Sequence, residues 1–311
     1  NVAICFSPRA FITAFPGTWR SSTFPYVANE VGTLYIVSTP IGNLADITYR
    51  AVQVMRDVDL ILAEDTRHAR VLLDHYEIRT PTAPLHEHNE ARVVPRIVER
   101  LRRGESIALV SDAGTPIISD PGARLVQAAV EAKATVVPVP GASALLSALV
   151  VGSISAERFT FYGFLPRAGK ARRAAIDEIV HAPHACVLYE SPRRVVASLS
   201  ELASRGMSGR RAVVARELTK KFEEVRRGTV AELAAYYGEA EHSAPRGEVV
   251  IIIEGASVLP TDENTIRGQV QTLRAQGSTP REILRQLVDG ERVPRNLAYR
   301  LVHEPAAKPE R

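Results

Sequence analysis

Ser111-Asp112-Ala113-Gly114-Thr115-Pro116-Ile117-Ile118-Ser119-Asp120-Pro121-Gly122 is a stretch built for backbone geometry. Its glycines permit positive φ and close approach, and its prolines stiffen the path. Asp120-Pro121 reads as a helix start, with Asp120 as N-cap and Pro121 in the first helical position. The twelve residues together exceed the roughly two to six usual between a strand and a helix, and the helix start leaves Asp112 to Pro116 unexplained; that part reads as a ligand loop. Pro40-Ile41-Gly42 is a second loop of this kind. Arg167, Lys170, Arg172 and Arg173 stand at the predicted start of a helix. Cations there oppose the macrodipole, and either an anion nearby or plain solvation accounts for them. His86 and His88 lack a third ligand at metal spacing, so no metal is expected.

The loops gain meaning from the elements that carry them. Strands are predicted at 33–38, 58–63, 83–85, 107–110 and 134–139, with helices between them. A helix capped by Asp46 is expected from Ile47, and others follow Thr66 and Glu90. The alternation implies a parallel sheet covered on both faces. Five polar stretches then sit at strand C-termini: 39–44, Glu64-Asp65-Thr66-Arg67, His86-Glu87-His88-Asn89-Glu90, 111–116 and Pro140 to Ala144. Those ends share one edge, where open α/β sheets bind ligands. Neither Gly-x-Gly-x-x-Gly nor the P-loop pattern occurs. The loops offer backbone groups and little charge, which suits a ligand without phosphates, such as S-adenosylmethionine.

A second α/β domain is read from strands at 159–164, 185–189, 212–215, 224–228 and 249–253, with a helix starting at Pro192. Helices at 266–275, 280–288 and 295–302 form a small helical unit; Thr279 to Glu282 is a capping box, and Arg281, Arg285, Arg292, Arg295 and Arg300 are placed to touch RNA or to support a dimer. The expected organisation is a disordered leader over 1–31, an N-terminal cofactor domain over 32–152, a basic domain over 153–258, the helical unit over 259–303 and a disordered tail over 304–311. Hydrophobic residues make up 45% and charged residues 24%, the composition of a soluble globular chain. No run is long enough to span a membrane. Cys5 and Cys186 form no framework, which fits a reducing cytoplasm. The net charge of +4 is mild, but residues 32–155 carry −2 and residues 164–227 carry +7. A polyanion met by the second domain and a solvated basic face both account for this asymmetry.

Taken together, Thr39-Pro-Ile-Gly-Asn-Leu44 with Asp46-Ile-Thr48, Glu64-Asp-Thr-Arg67, His86-Glu-His-Asn-Glu90, Ser111-Asp-Ala-Gly-Thr-Pro116, Phe164-Leu-Pro166, Glu190-Ser-Pro192 and Ala215-Arg-Glu-Leu-Thr-Lys220 resemble the ribosomal RNA small subunit methyltransferase I family of the tetrapyrrole-methylase superfamily. The resemblance covers about 32–255. It implies two α/β domains with S-adenosylmethionine in a cleft between them, a homodimer, and 2′-O-methylation of a cytidine ribose in the decoding region of 16S rRNA. Cofactor contacts carry over to Pro40, to Ala113, Gly114 and Thr115 with Ile118, to Ser143 and Ala144, and to Tyr189 and Leu218; the loop reading above adds Gly42, Asp112 and Pro116. RNA contacts are expected at Arg167, Lys170, Arg172, Arg173, Arg193 and Arg194. Two positions depart from the family pattern: Ala142 stands where a second proline is usual, and Arg193 where a histidine is usual.

A ribose hydroxyl becomes a good nucleophile only as its proton leaves. A base, or a cation stabilising the developing alkoxide, is therefore sought among Asp65, His88, Glu190, Glu217 and Lys220. A small-molecule methylase of the same fold would have no use for the basic second domain. A non-enzymatic RNA-binding protein would leave the ligand loops unused.

Overall fold

The computed structural model describes residues 31–239, 247–256, 263–290, 293 and 295–304. The leader before Val31, the tail after Glu304, Cys5 and Arg292 lie outside the described residues. The chain divides into two units. The first holds the segment ending at Val37, then Thr48–Asp112 and Asp120–Pro140. The second holds Ser38–Ile47, Ala113–Ser119 and the chain from Gly141 onward.

The first unit is built on β1 (Thr33–Val37), β2 (Leu60–Ala63), β3 (Thr82–Pro84), β4 (Ile107–Val110) and β5 (Thr135–Val139), in the order β3-β2-β4-β1-β5. Every pairing is parallel. β2 and β4 are buried along their whole length, as their unbroken apolar runs require when helices cover both faces. From β1 the chain crosses toward β2, and from the adjacent β4 it crosses the other way to β5. The topological switch point thus lies between β1 and β4, the two strands that lead into the predicted ligand loops.

The second unit carries β6 (Phe159–Phe164), β7 (Ala185–Glu190), β8 (Arg211–Arg216), β9 (Glu224–Thr229) and β10 (Val249–Ile253), in the order β6-β7-β10-β8-β9. β6 and β7 are parallel and the other pairs antiparallel. Side chains alternate between two cores. Cys186, Leu188, Ala212, Val214, Val249, Ile251 and Ile253 face one; Val187, Val213, Ala215, Val250 and Ile252 face the other. The C-terminal helices Glu263–Ala275, Pro280–Arg285 and Arg295–His303 bury Ile266, Val270, Ile283 and Leu301 in a core of their own. The capping box at Thr279 forms as predicted, Thr279 Oγ1 accepting from the Glu282 N–H and the Glu282 carboxylate from the Thr279 N–H.

Three helix starts differ from expectation. Asp46 lies in a short 3₁₀ turn capped by Asn43, and Thr48 caps the helix Tyr49–Asp57 by accepting from the Ala51 N–H at 3.1 Å. The helix after the long loop begins at Ala123 behind Gly122, which has φ +124°, rather than at Asp120-Pro121. Its first turn is served by Glu90, whose carboxylate accepts from the Arg124 N–H at 3.2 Å. Pro192 opens a 3₁₀ turn, Pro192–Arg194, and the α-helix proper is Val195–Leu202. Among the described residues no helix is long and apolar enough to cross a membrane.

Candidate functional site

The three small-residue loops are sewn together. Thr39 N–H donates to the Gly114 carbonyl at 2.8 Å, and Gly114 N–H donates back at 3.1 Å. The hydroxyls of Ser38 and Thr115 lie 3.0 Å apart, and Thr115 also donates to the Ala142 carbonyl at 3.4 Å. The backbone of Thr39 and Gly114 therefore holds the two loops together. Gly114 has φ +85°, and a Cβ there would stand 3.4 Å from Ile41 Cγ2. Pro40 and Pro116 are buried, whereas Ile118 is exposed. Ile117 has φ +77° and Ser119 +70°. A β-branched residue in that region is a true outlier, and such strain costs of order 1–3 kcal/mol per residue. Ser143 caps the helix Ala144–Gly152 through the Leu146 N–H. Beneath the loops, Ile41 and Leu218 are buried in one apolar cluster, with Ala142, Ala144 and Tyr189 packed against it.

Beside this cluster lies a charged clasp. The Lys220 stem runs across Gly42, where a Cβ would come within 2.3 Å of Lys220 Cγ. Gly42 thus makes room for Lys220 and does not itself open space for a ligand. Lys220 Nζ donates to Glu217 at 2.9 Å and to Glu248 at 3.4 Å. Burial alone would lower the ammonium pKa; the Glu217 hydrogen bond and the Glu248 charge outweigh it and hold it above the usual lysine value. The loop is strained, with Glu217 at φ +51° and Thr219 at +66°. Gly247, at φ +89°, is required there: a Cβ would fall 1.8 Å from Glu217 Oε1.

In the first unit, Asp65 caps the helix Thr66–His75, and its carboxylate takes two bonds from the Arg67 guanidinium. Those bonds hold the Asp65 carboxyl well below the ordinary range. Asp112 accepts from the Asp65 N–H at 3.2 Å and stands 3.5 Å from His68 Nδ1. Burial, and then the Asp112 charge, push Glu64 up. Asn89 and Glu90 are structural: Asn89 bonds the His86 N–H and the Pro84 carbonyl. Among the described residues no group of three ligands is placed to hold a metal.

Residues 33–234 match the family model for Tetrapyrrole (Corrin/Porphyrin) Methylases. A Synechocystis ribosomal RNA small subunit methyltransferase I is 42% identical over 276 residues, 87% of this chain and 97% of that protein. The protein of the same name from Xylella fastidiosa is 51% identical over 226 residues, 73% and 82% of the two chains. The chain belongs to the ribosomal RNA small subunit methyltransferase I family. Its fold is that of solved tetrapyrrole methylases. The Thermus thermophilus uroporphyrin-III C-methyltransferase complexed with S-adenyl homocysteine aligns with TM-score 0.53 at 15% identity, over 72% of this chain and 97% of that one.

Within this methyltransferase, several predicted residues prove to be structural. Glu190 is no exposed base: its side chain is 1% exposed. It accepts from the Ser191 N–H at 2.8 Å, the Ser198 hydroxyl at 2.6 Å and Arg194 Nε at 3.1 Å. Arg172 is buried, not part of an open basic face. It donates to Glu201, to Ser198 Oγ and to the Pro166 carbonyl. Arg194 donates to the Leu165 carbonyl at 2.8 Å. The Phe164-Leu-Pro166 and Glu190-Ser-Pro192 motifs of the family are thus two sides of one buried polar network. Glu217 is the partner of Lys220 and not an unpaired base. His88 is exposed, its ring edge-on to His86 with 6.1 Å between centroids. Arg167, Lys170, Arg173 and Arg193 are exposed. Sequence reasoning missed Glu248 as a partner of Lys220. Its only signal is the glycine before it, at the entry to a strand that pairs beside Arg216.

Proposed function

We propose that the protein transfers a methyl group from S-adenosylmethionine to the 2′-oxygen of a cytidine ribose in small-subunit ribosomal RNA. The observation that carries this is the convergence of Ile41, Ala142, Ala144, Tyr189 and Leu218 on one cluster beneath loops that are strained, small-sided and nearly uncharged. Such a floor suits an adenine and an aliphatic chain better than a phosphate. Lys220, the cation beside the loops, is balanced by two carboxylates. Bound there, S-adenosylmethionine supplies an electrophilic methyl on a positively charged sulfur.

Alignment of that methyl with the ribose oxygen can supply much of the rate. Methyl transfer would require the ribose hydroxyl to lose its proton, and the chain's own part would be to stabilise the oxygen as it does so. Asp65, Glu190 and Glu217 are engaged by cations, so an electrostatic role for Lys220 is favoured over a dedicated carboxylate base. An ammonium has three donors. Two are held by Glu217 and Glu248, which fixes the third for an incoming oxygen. The basic exposed set Arg167, Lys170, Arg173 and Arg193 supports an RNA substrate. Leu146 and Val150, 55% and 82% exposed on the helix Ala144–Gly152, support a homodimer. A bacterial cytoplasmic location follows from the substrate.

The test is methylation of small ribosomal subunits with labelled cofactor, followed by alkaline hydrolysis. A 2′-O-methyl group protects the adjacent phosphodiester. Alkaline cleavage at the labelled nucleotide would refute ribose methylation, and transfer to porphyrin precursors instead of RNA would refute the substrate class.

A further inference from the structure

Phe164 is an exposed aromatic whose neighbours on both sides in the chain are tied down. β6 pairs with β7 through Phe161↔Val187 and then Gly163↔Leu188, so Tyr162 is an extra residue and the strand bulges. In an unbroken strand Phe164 would share a face with Tyr162. The bulge returns it to the face of Phe161 and opposite Tyr189. The three rings form an edge-to-face series, Phe161 to Tyr189 at 4.9 Å and Tyr189 to Phe164 at 5.5 Å between centroids. Gly163 takes φ +60°, and a Cβ there would stand 3.0 Å from Ser119 Oγ. Just beyond the ring, Leu165 is buried and its carbonyl is held by Arg194, while the Pro166 carbonyl is held by Arg172. Both arginines are anchored in turn by Glu190 and Glu201. Yet Phe164 remains 57% exposed.

The cations on this turn and its neighbour point outward. Arg167, Lys170 and Arg173 follow Phe164 in sequence, and Arg193 adjoins the anchoring Arg194; all four are exposed. A fixed ring among cations is the arrangement that single-stranded nucleic acid recognises, bases stacking on the aromatic while the backbone meets the charges. Resting on the RNA-methyltransferase reading above, we propose that Phe164 is a stacking platform for an unpaired base of the substrate RNA. An apolar protein partner would not call for the surrounding cations. The cofactor's adenine is already offered the buried floor around Ile41 and Leu218.

The test compares Phe164→Ala, Phe164→Leu and Phe164→Trp with wild type. It measures binding and methylation of small-subunit RNA across a salt series, S-adenosylmethionine affinity by calorimetry, and mass by light scattering. Loss of one stacked base is expected to weaken RNA binding about 5- to 150-fold. The leucine variant should fail with the alanine variant, because it keeps apolar bulk but offers no π-face, and Phe164→Trp should restore binding. The salt slope should stay as in wild type, since stacking releases no counterions. Wild-type binding by Phe164→Leu, a fall in cofactor affinity, or a change of mass would each overturn the proposal, the last two assigning the ring to the cofactor or to a second copy of the chain. If wild type methylates small-subunit RNA and Phe164→Ala does so with unchanged RNA affinity, this inference alone fails. If wild type neither binds nor methylates that RNA, the functional reading fails with it.

Discussion

Replacing Glu190 by glutamine separates a structural carboxylate from a catalytic one. The isosteric amide keeps the volume and removes the charge. Glu190 accepts three hydrogen bonds, from Ser191 N–H, Ser198 Oγ and Arg194 Nε. A bond to a charged group contributes about 1.5–3 kcal/mol and a neutral one about 0.5–1.5 kcal/mol, so each loses about 1 kcal/mol. With almost no solvent to compensate, Glu190→Gln should cost about 3 kcal/mol. At ~2–4 °C per kcal/mol for a unit of this size, the melting transition should fall by ~6–12 °C. Calorimetry measures the shift, and single-turnover assays at saturating RNA and cofactor measure the chemistry. Turnover below the lowered transition should stay near wild type. Ser198→Ala should be coupled to Glu190→Gln in a double-mutant cycle, since one bond is shared. An unchanged melting temperature with turnover abolished would refute the reasoning and restore Glu190 as a reacting group.

Four further outcomes are expected. Gly114→Val places a β-branched side chain at φ +85° against Ile41; calorimetry should show S-adenosylmethionine affinity lost while circular dichroism stays native. Gly42→Ala should displace the Lys220 stem and imitate Lys220→Ala, each lowering kcat about 10²–10³-fold with little change in cofactor affinity, and the double variant should be no worse than either single one. Because burial and Asp112 raise the Glu64 pKa in the fold, the folded chain binds that proton more tightly than the unfolded chain, and the ionised form costs stability once the pH rises through the raised value. Glu64→Gln should therefore raise the melting temperature at neutral pH and change it little at acid pH. Replacing Arg167, Lys170 and Arg173 together should reduce the log–log salt slope of RNA binding by ~0.7–0.9 for each phosphate no longer neutralised, whereas Arg172→Ala should lower the melting temperature through the network around Ser198.

The strands were legible in the sequence because burial on both faces leaves a plain mark. β2, β4 and β10 are unbroken apolar runs that could lie nowhere else. The strand-end loops followed, since a parallel sheet brings its C-termini to one edge. Helix starts were less legible. Asp46 and Thr48 both fit a cap, and the choice depends on which oxygen reaches a first-turn N–H. Arg172 carried an unread signal: it stands four residues before Ile176 and seven before Ile179, on the helix's buried stripe. Its neighbours Lys170 and Arg173 lie off that stripe. Charge marks Glu190 and Lys220 in the sequence, but their partners Ser198 and Glu248 are set by tertiary placement, which spacing does not encode. The bulge at Tyr162 was invisible for the same reason, since only the register against β7 shows it.

The second unit is discontinuous: it takes Ser38–Ile47 and Ala113–Ser119 from within the first half of the chain and completes itself only after Gly141. During synthesis those two loops emerge long before Leu218 and Lys220, the residues that floor Ile41 and cover Gly42. The parallel sheet of the first unit has all its strands by Val139, so it can assemble while the loops still lack their counterparts. Competence to hold the cofactor is then expected late, once β7 and β8 deliver Tyr189 and Leu218 to the cluster around Ile41. A fragment ending near Gly152 should fold its sheet and bind no S-adenosylmethionine, and adding the remainder as a separate chain should restore binding.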